Sequence, residues 1–563
     1  MELQLSAAQR VPSDALGLIF DFIEYGRRLK DGWEKLGQKR VVGGTASLLS
    51  IAQVCHAWRV VALPYFYQNT ETLLNPIFHA ADSEPKLIYP NLSMAAAAGQ
   101  SLSVRSAHLR LSLDHIANGA SIRLLNAGVP PTVTFPNASE LKLSFYSSND
   151  FDRADYSVQA AAFTERICQL FPKAHDVSFI VCSWLWNGSE DVWRSLMHSI
   201  VPTPRTLICC KLLNESTTLR DGISNGVRRL YLGTNGGTGY YPIVHSNRGT
   251  VEELVIRVAV DHSHTAHRWN MPVNQDPLFS YKYPKLARLS IETRGDARKL
   301  FTRSATNRFP SLTSLSLLTF CEVDIGSLVG DRGETLTSLT MYLTESLVQS
   351  LRDRLFPSLA YVRILGSILH VFIVNDNEAL ARAAMEVVQL PFLIAPNAEM
   401  IENYVVSGLP NLSHSSVFPD NHPHPRLQYL VLCRLSLSLS QFHQILVCLP
   451  GLTRVRLRSV VSDNGASYEY SDDEIRTLLT GLPVFSTRLR RLDFEEVVRC
   501  SAGMVIAITK LPSLRMVTVL GIPAEVGYLM DEIDKPVYHE YRNSLNRLLF
   551  HGVGDSWSQP HPD

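Results

Sequence analysis

Between about residues 135 and 520 the apolar positions of this chain fall into one recurring frame, apolar-x-x-apolar-x-apolar, usually introduced by an aromatic residue or Leu and then Pro. "FPSLTSLSL" (309–317) places Leu312, Leu315 and Leu317, and "YPKLARLSI" (283–291) places Leu286, Leu289 and Ile291. "FPSLAYVRI" gives Leu359, Val362 and Ile364; "HPRLQYLVL" gives Leu427, Leu430 and Leu432. Further copies set Leu452, Val455, Leu457 and Leu514, Val517, Val519, with looser ones at Ala138, Leu141, Leu143 and at Ala174, Val177, Phe179. Copies without Pro occur at Val227-Leu230-Leu232, Val251-Leu254-Ile256, Leu336-Leu339-Met341 and Leu489-Leu492-Phe494. The last two apolar positions are two apart, so on a strand they share a face while the residue between them looks the other way. Those intervening residues are often polar, among them Lys142, Ser290, Ser316, Thr340, Arg363, Arg456, Asp493 and Thr518. Pro fixes φ, ends any preceding helix and biases its predecessor to extended geometry. Each phrase therefore predicts a sharp turn followed by a short strand.

The text between phrases carries helical spacing, as in "DYSVQAAAFTERICQL" and "SDDEIRTLLTGL". First positions along the run 286, 312, 336, 359 are separated by 26, 24 and 23 residues. A strand of a few residues cannot bury its own apolar face, whereas stacked neighbours can. The expected fold is α/β: an irregular solenoid over 135–522 with a ladder of parallel strands, preceded by a connecting segment and first rungs over 76–134. The interval between 359 and 427 needs an insertion or a degenerate rung, and "APNAEMIENY" (395–404) is a candidate for such a rung. Helical spacing at Leu529, Ile533, Val537 and again at Leu545, Leu548, Leu549 predicts a helical cap over 523–554, followed by a disordered tail at 555–563.

At the other end, Leu16, Ile19, Phe20 and Ile23 keep the i, i+3, i+4, i+7 spacing of an amphipathic helix that starts at Pro12 and Ser13. Leu48, Ile51, Val54, Cys55, Trp58 and Val61 repeat that spacing up to Pro64. The expectation is a small all-helical module over 1–75, with the basic, glycine-containing stretch 24–47 as an inserted loop. Two such helices bury too little surface to stand alone, so they need a partner surface.

With 563 residues and 45% apolar content, the chain can form a large buried core. Lys+Arg and Asp+Glu both total 53, and a cancelled charge argues against nucleic acid as the main partner. No stretch approaches the roughly 20 continuous apolar residues of a membrane helix. The nine cysteines are scattered and contain no C-x-x-C pair, a pattern of reduced thiols in a soluble intracellular protein.

The candidate chemistry is thin. His262, His264 and His267 with Asp261 lack further ligands at metal spacing and suit a solvated loop, as do His422 and His424. "LGTNGGTGYY" (232–241) lacks the Lys-Ser/Thr of a phosphate loop. Asp472 and Asp473 suit the positive N-terminus of the helix they precede. No catalytic constellation, metal site or cofactor site is expected, and an enzyme on an unrecognised α/β fold is the least favoured class.

Two resemblances organise these observations. L-x-x-L-x-L at a spacing near 25 resembles the leucine-rich repeat family, although the Asn or Cys which that family places three residues after the last Leu appears here only as Asn235 and Cys182. Val11-Pro12 followed by Val54-Cys55-His56-Ala57-Trp58-Arg59-Val60-Val61-Ala62 resembles the F-box, interrupted by the 24–47 insertion. An F-box followed by leucine-rich repeats is a combination abundant in fungi. It implies a substrate receptor of an SCF-type cullin–RING ubiquitin ligase. By that resemblance Pro12, Leu16, Ile19, Phe20, Ile23, Val54, Cys55 and Trp58 would dock a Skp-type adaptor, and through it the cullin complex, while the repeats would hold a target protein. The alternative is a leucine-rich-repeat scaffold for protein–protein interaction with no ligase role, its N-terminal helices serving as a lid.

Overall fold

The recurring Pro marks the corner of a tight turn in the computed structural model. The N–H of the first framed apolar residue donates to the carbonyl of the residue before Pro: Leu312 to Phe309 (3.1 Å), Leu359 to Phe356 (3.1 Å), Leu452 to Leu449 (3.2 Å) and Leu514 to Leu511 (3.2 Å). Pro in the second place of such a turn already has the required φ and has no N–H to leave unpaired. The structure describes residues 69–75, 86–87, 91–112, 119–146, 157–174, 176–181, 205–212, 226–234, 241–258, 281–293, 309–319, 333–352, 354–367, 377–406, 424–461, 470–485, 487–495, 501–520, 523–546 and 548–553, with isolated positions at 58–67, 116 and 279.

The chain divides into two compact units, Met1–Val251 and Glu252–Asp563. The first contains strands β1 (Asn69–Asn75), β2 (Lys86–Leu87), β3 (Ser106–Ser112), β4 (Glu140–Tyr146), β5 (Asp176–Val181), β6 (Thr206–Leu212) and β7 (Arg229–Thr234). Its helices are α1 (Asn91–Ala97), α2 (Ala120–Gly128), α3 (Ser157–Leu170) and α4 (Tyr241–Ser246). Strand β1 pairs parallel with β3, and the parallel order continues β3, β4, β5, β6, β7, while β2 runs antiparallel to β1.

The second unit contains β8 (Glu253–Val258), β9 (Arg288–Thr293), β10 (Ser314–Thr319), β11 (Ser338–Tyr342), β12 (Tyr361–Ser367), β13 (Met400–Val406), β14 (Tyr429–Ser438), β15 (Arg454–Val461), β16 (Arg491–Phe494), β17 (Met516–Leu520) and β18 (Leu549–Val553). From β9 onward each of these strands is parallel to its predecessor. Spatial order equals chain order, which is compatible with a stacked, solenoid-like repeat. The crossovers carry α5 (Glu345–Leu351), α6 (Asn377–Ile394), α7 (Leu439–Cys448), α8 (Asp472–Gly481), α9 (Ser501–Thr509), α10 (Pro523–Ile533) and α11 (Arg542–Asn546). Ser471 caps α8 with Glu474 answering in a capping box, so Asp472 and Asp473 sit in the first helical turn as the sequence predicts.

The core is the framed residues stacked in register. Leu289, Leu315, Leu339, Val362, Ile401, Leu430, Val455, Leu492 and Val517 form one column, and all are buried. Two places on runs Ile291, Leu317, Met341, Ile364, Asn403, Leu432, Leu457, Phe494 and Val519, again buried throughout. The turns are stitched by a second repeat: each carbonyl accepts from two successive N–H groups of the next rung. Thr313 and Ser314 donate to Ala287, Thr337 and Ser338 to Thr313, Ala360 and Tyr361 to Thr337, and so on to Arg515 and Met516 on Arg490. The hydroxyls of Thr313 and Thr337 add bonds of 3.0 Å to the same carbonyls.

Two expectations change. Residues 69–75, placed in an all-helical N-terminal module, are strand β1, which extends the ladder toward the N-terminus. The segment 523–554, expected to be wholly helical, closes on strand β18, which pairs parallel with β17 and sets Phe550 in register with Val517. Strand β6, carrying buried Leu207, continues the frame although Pro204 stands where other phrases place their first apolar residue; Pro202 keeps the usual place of Pro. The degenerate rung at 395–404 is real, with Ala398 and Ile401 buried and Asn403 where neighbours carry Ile364 and Leu432. No helix among the described residues is long and apolar enough to cross a membrane.

Candidate functional site

The outward face of the second unit's ladder changes character along its length. Between the two buried columns β9, β10 and β11 present Ser290, Ser316 and Thr340. From β12 to β16 the same place holds Arg363, Glu402, Val431, Arg456 and Asp493, and the position two residues earlier holds Tyr361, Met400, Tyr429, Arg454 and Arg491.

These side chains hold one another. The Tyr361 hydroxyl donates to Glu402 Oε2 at 3.0 Å, and Arg363 Nε lies 3.4 Å from the same oxygen. The Arg363 guanidinium also stands 5.0 Å above the Tyr404 ring. One rung further, Arg454 lies 5.0 Å over the Tyr429 ring while its Nε donates to Asp493 Oδ2 at 2.7 Å. The other Asp493 oxygen accepts from Arg491 Nε at 2.7 Å, and Arg456 reaches Glu495 at 3.4 Å. Asp493 is fully buried, yet each of its oxygens has a guanidinium, which is the condition for keeping a carboxylate out of water. Burial, and then the Glu402 charge, push the Tyr361 phenol well above its ordinary range, with Arg363 opposing. Burial likewise raises Tyr429. Both phenols stay protonated at neutral pH and donate or stack rather than exchange protons.

An array of half-buried aromatic rings and guanidinia fixed by neighbours suits recognition more than proton transfer. Tyr and Arg are the side chains that concentrate binding energy at protein interfaces, and pre-ordering them lowers the entropy lost on contact. Among the described residues no group of three His, Cys, Asp or Glu side chains converges as metal ligands would.

Of the residues expected to dock an adaptor, Pro12, Leu16, Ile19, Phe20, Ile23, Val54 and Cys55 lie outside the described residues; Trp58 is helical and half-buried. His262, His264, His267 and His422 also lie outside them, as do 24–47 and 555–563. His424 is not solvated as expected: it is buried against Phe392, ring centroids 5.2 Å apart, in the place other phrases give to an aromatic. The Tyr–Arg–carboxylate face was not singled out from sequence. Its signal was present in the intervening positions, but the partners are about 40 residues apart and meet only through the ladder. No protein-family model matches this chain, and no curated protein matches it either.

Proposed function

We propose that this protein is a non-enzymatic recognition scaffold, a leucine-rich-repeat-like solenoid whose β12–β16 face binds a target protein. In the fuller reading it is the substrate-recognition subunit of an SCF-type cullin–RING ubiquitin ligase, with the N-terminal helices docking a Skp-type adaptor. The observation that carries the scaffold reading is the pre-ordered face itself, where Arg363 and Arg454 are each held between an aromatic ring and a carboxylate, and Tyr361 is tied to the same Glu402. The ligase reading rests on the Val54-Cys55-x-x-Trp58-Arg59 text and its apolar partners Leu16, Ile19 and Phe20.

The test is co-purification of the full chain with a Skp-type adaptor and cullin. The expected result is a stoichiometric complex that the double substitution Leu16→Asp, Ile19→Asp abolishes. A chain that leaves the adaptor in the flow-through overturns the ligase reading. The second reading, a scaffold without ligase role, draws support from β1: the N-terminal segment runs directly into the sheet, as a lid over the first rung would.

A further inference from the structure

Positive charge is segregated in this neutral chain. The turn-and-strand segments 424–432, 449–458, 487–495 and 511–520 together contain eight arginines, no lysine and two carboxylates, Asp493 and Glu495. Both carboxylates are already engaged, Asp493 by Arg454 and Arg491 and Glu495 by Arg456. Arg426, Arg488, Arg490 and Arg515 are exposed, and among the described residues they form no ion pair.

The four lie in the turns that lead into β14, β16 and β17: Arg426 before β14, Arg488 and Arg490 before β16, and Arg515 before β17. Arg490 N–H donates to Thr453 O (2.9 Å) and Arg515 N–H to Arg490 O (3.0 Å), so Arg490 and Arg515 stand on adjacent turns. Arg488 N–H donates to Pro450 O at 3.2 Å, which ties the turn before β16 to the turn before β15. From β14 to β17 is three strand spacings, about 14 Å, which roughly four or five residues of extended peptide would span.

We infer that this set of turns binds an acidic segment of a partner protein in extended form, with two or three carboxylates or phosphates within about five residues. The inference rests on the recognition-scaffold reading and names the chemistry of the target. Guanidinia favour such groups because their fork geometry matches a carboxylate or phosphate bidentately. Single-stranded nucleic acid fits less well, since it needs open aromatic faces for stacking. Here the rings of Tyr404 and Tyr429 are faced by Arg363 and Arg454.

The test uses the full-length protein and fluorescence anisotropy with three labelled probes: a twelve-residue peptide with five central glutamates, its glutamine counterpart, and a twelve-nucleotide single strand. The Glu peptide is expected to bind best, with affinity falling as salt rises. The double substitution Arg490→Glu, Arg515→Glu should weaken it by tenfold or more, and Arg426→Glu alone by less. Lys285→Glu, on the equivalent turn before β9, should leave binding unchanged. Equal binding of the Glu and Gln peptides, or charge reversals without effect, overturns the inference; tighter binding of the nucleic acid does so as well. Adaptor co-purification is followed in the same variants. Its loss with peptide binding intact counts against the ligase reading alone, and loss of peptide binding with the adaptor retained counts against this inference alone.

Discussion

Rungs β9–β11 and rungs β12–β16 share a core and differ in their faces. Behind both stand the same two buried columns in the same register, and both begin at turns stitched by the same paired N–H donors. In front, β9–β11 carry small hydroxyls at the central place, while β12–β16 carry an interlocked set of arginines, tyrosines and carboxylates. A repeat whose inner positions are set by packing leaves its outer positions free to vary, because each outward residue touches only its neighbours on adjacent rungs. The invariant half builds the ladder; the variable half is the face to which the proposed function assigns recognition.

The largest effects should fall on the shared half and fail to distinguish the two regions. Leu317→Ala in β10 and Leu457→Ala in β15 each empty a fully buried site of the same column. Each should cost about 2–5 kcal/mol, measured as lost amide-exchange protection across the affected strand and its neighbours. A β15 that tolerated the change would mean the two regions do not share one kind of core. On the outward half the regions should separate. Asp493→Ala strips a buried carboxylate from Arg454 and Arg491 and should cost about 3 kcal/mol, the lower end for a broken buried pair because both guanidinia can turn to water. Ser316→Ala, at the same place on β10, should stay within about 0.5 kcal/mol. Denaturant titration of the two variants side by side decides it, and equal losses would remove the distinction.

How much of this was legible differs between the halves for the same physical reason. Inner positions repeat by type, so Leu286-Leu289-Ile291 and Leu452-Val455-Leu457 could be aligned by eye, and they are buried as aligned. Strand β18 was concealed because Leu545, Leu548 and Leu549 keep helical spacing across the end of α11 into a strand. Strand β6 was concealed because "TLICCKL" carries apolar residues without alternation. On the outer half Arg363, Arg456 and Asp493 were visible as solvent-side residues, but their partners were not. The pairing of Arg454 with Asp493 spans 39 positions, and nothing local encodes it. The buried Asp493 breaks the inside–outside rule where the guanidinia of Arg454 and Arg491 converge on it.

A smaller effect lies at the border between the two regions. Gly366, just after the framed residues of β12, has φ of 139°, and a Cβ there would come within 3.0 Å of the Leu343 side chain and 3.3 Å of its backbone nitrogen. Gly366→Ala combines an unfavourable backbone conformation with that close approach, and a cost of about 1–3 kcal/mol is expected. The loss should concentrate where β11 hands over to β12, read from exchange protection of Leu343, whose N–H donates to Leu365 O at 2.7 Å. Unchanged protection there would mean the border is not held by this contact.

The smallest effect is one that only the charged region can show. Ser290, Ser316 and Thr340 do not titrate, whereas the Tyr361 phenol is held protonated by burial and by the Glu402 charge beside it. A group whose pKa is raised on folding contributes stability that is fully present below its unfolded value, here about 10, and that declines as pH rises toward the folded value. Above pH 10 the unfolded chain releases this proton while the folded chain retains it, so the unfolded state gains. Tyr361→Phe removes the titration and leaves Arg363 beside Glu402, so its stability should fall less steeply between pH 10 and 11 than that of the unsubstituted chain. Tyr538, raised by its own burial, titrates equally in both and cancels from the difference. Parallel slopes would show that the Tyr361 hydroxyl is not committed to Glu402, and the interlocked face would lose its first link at β12.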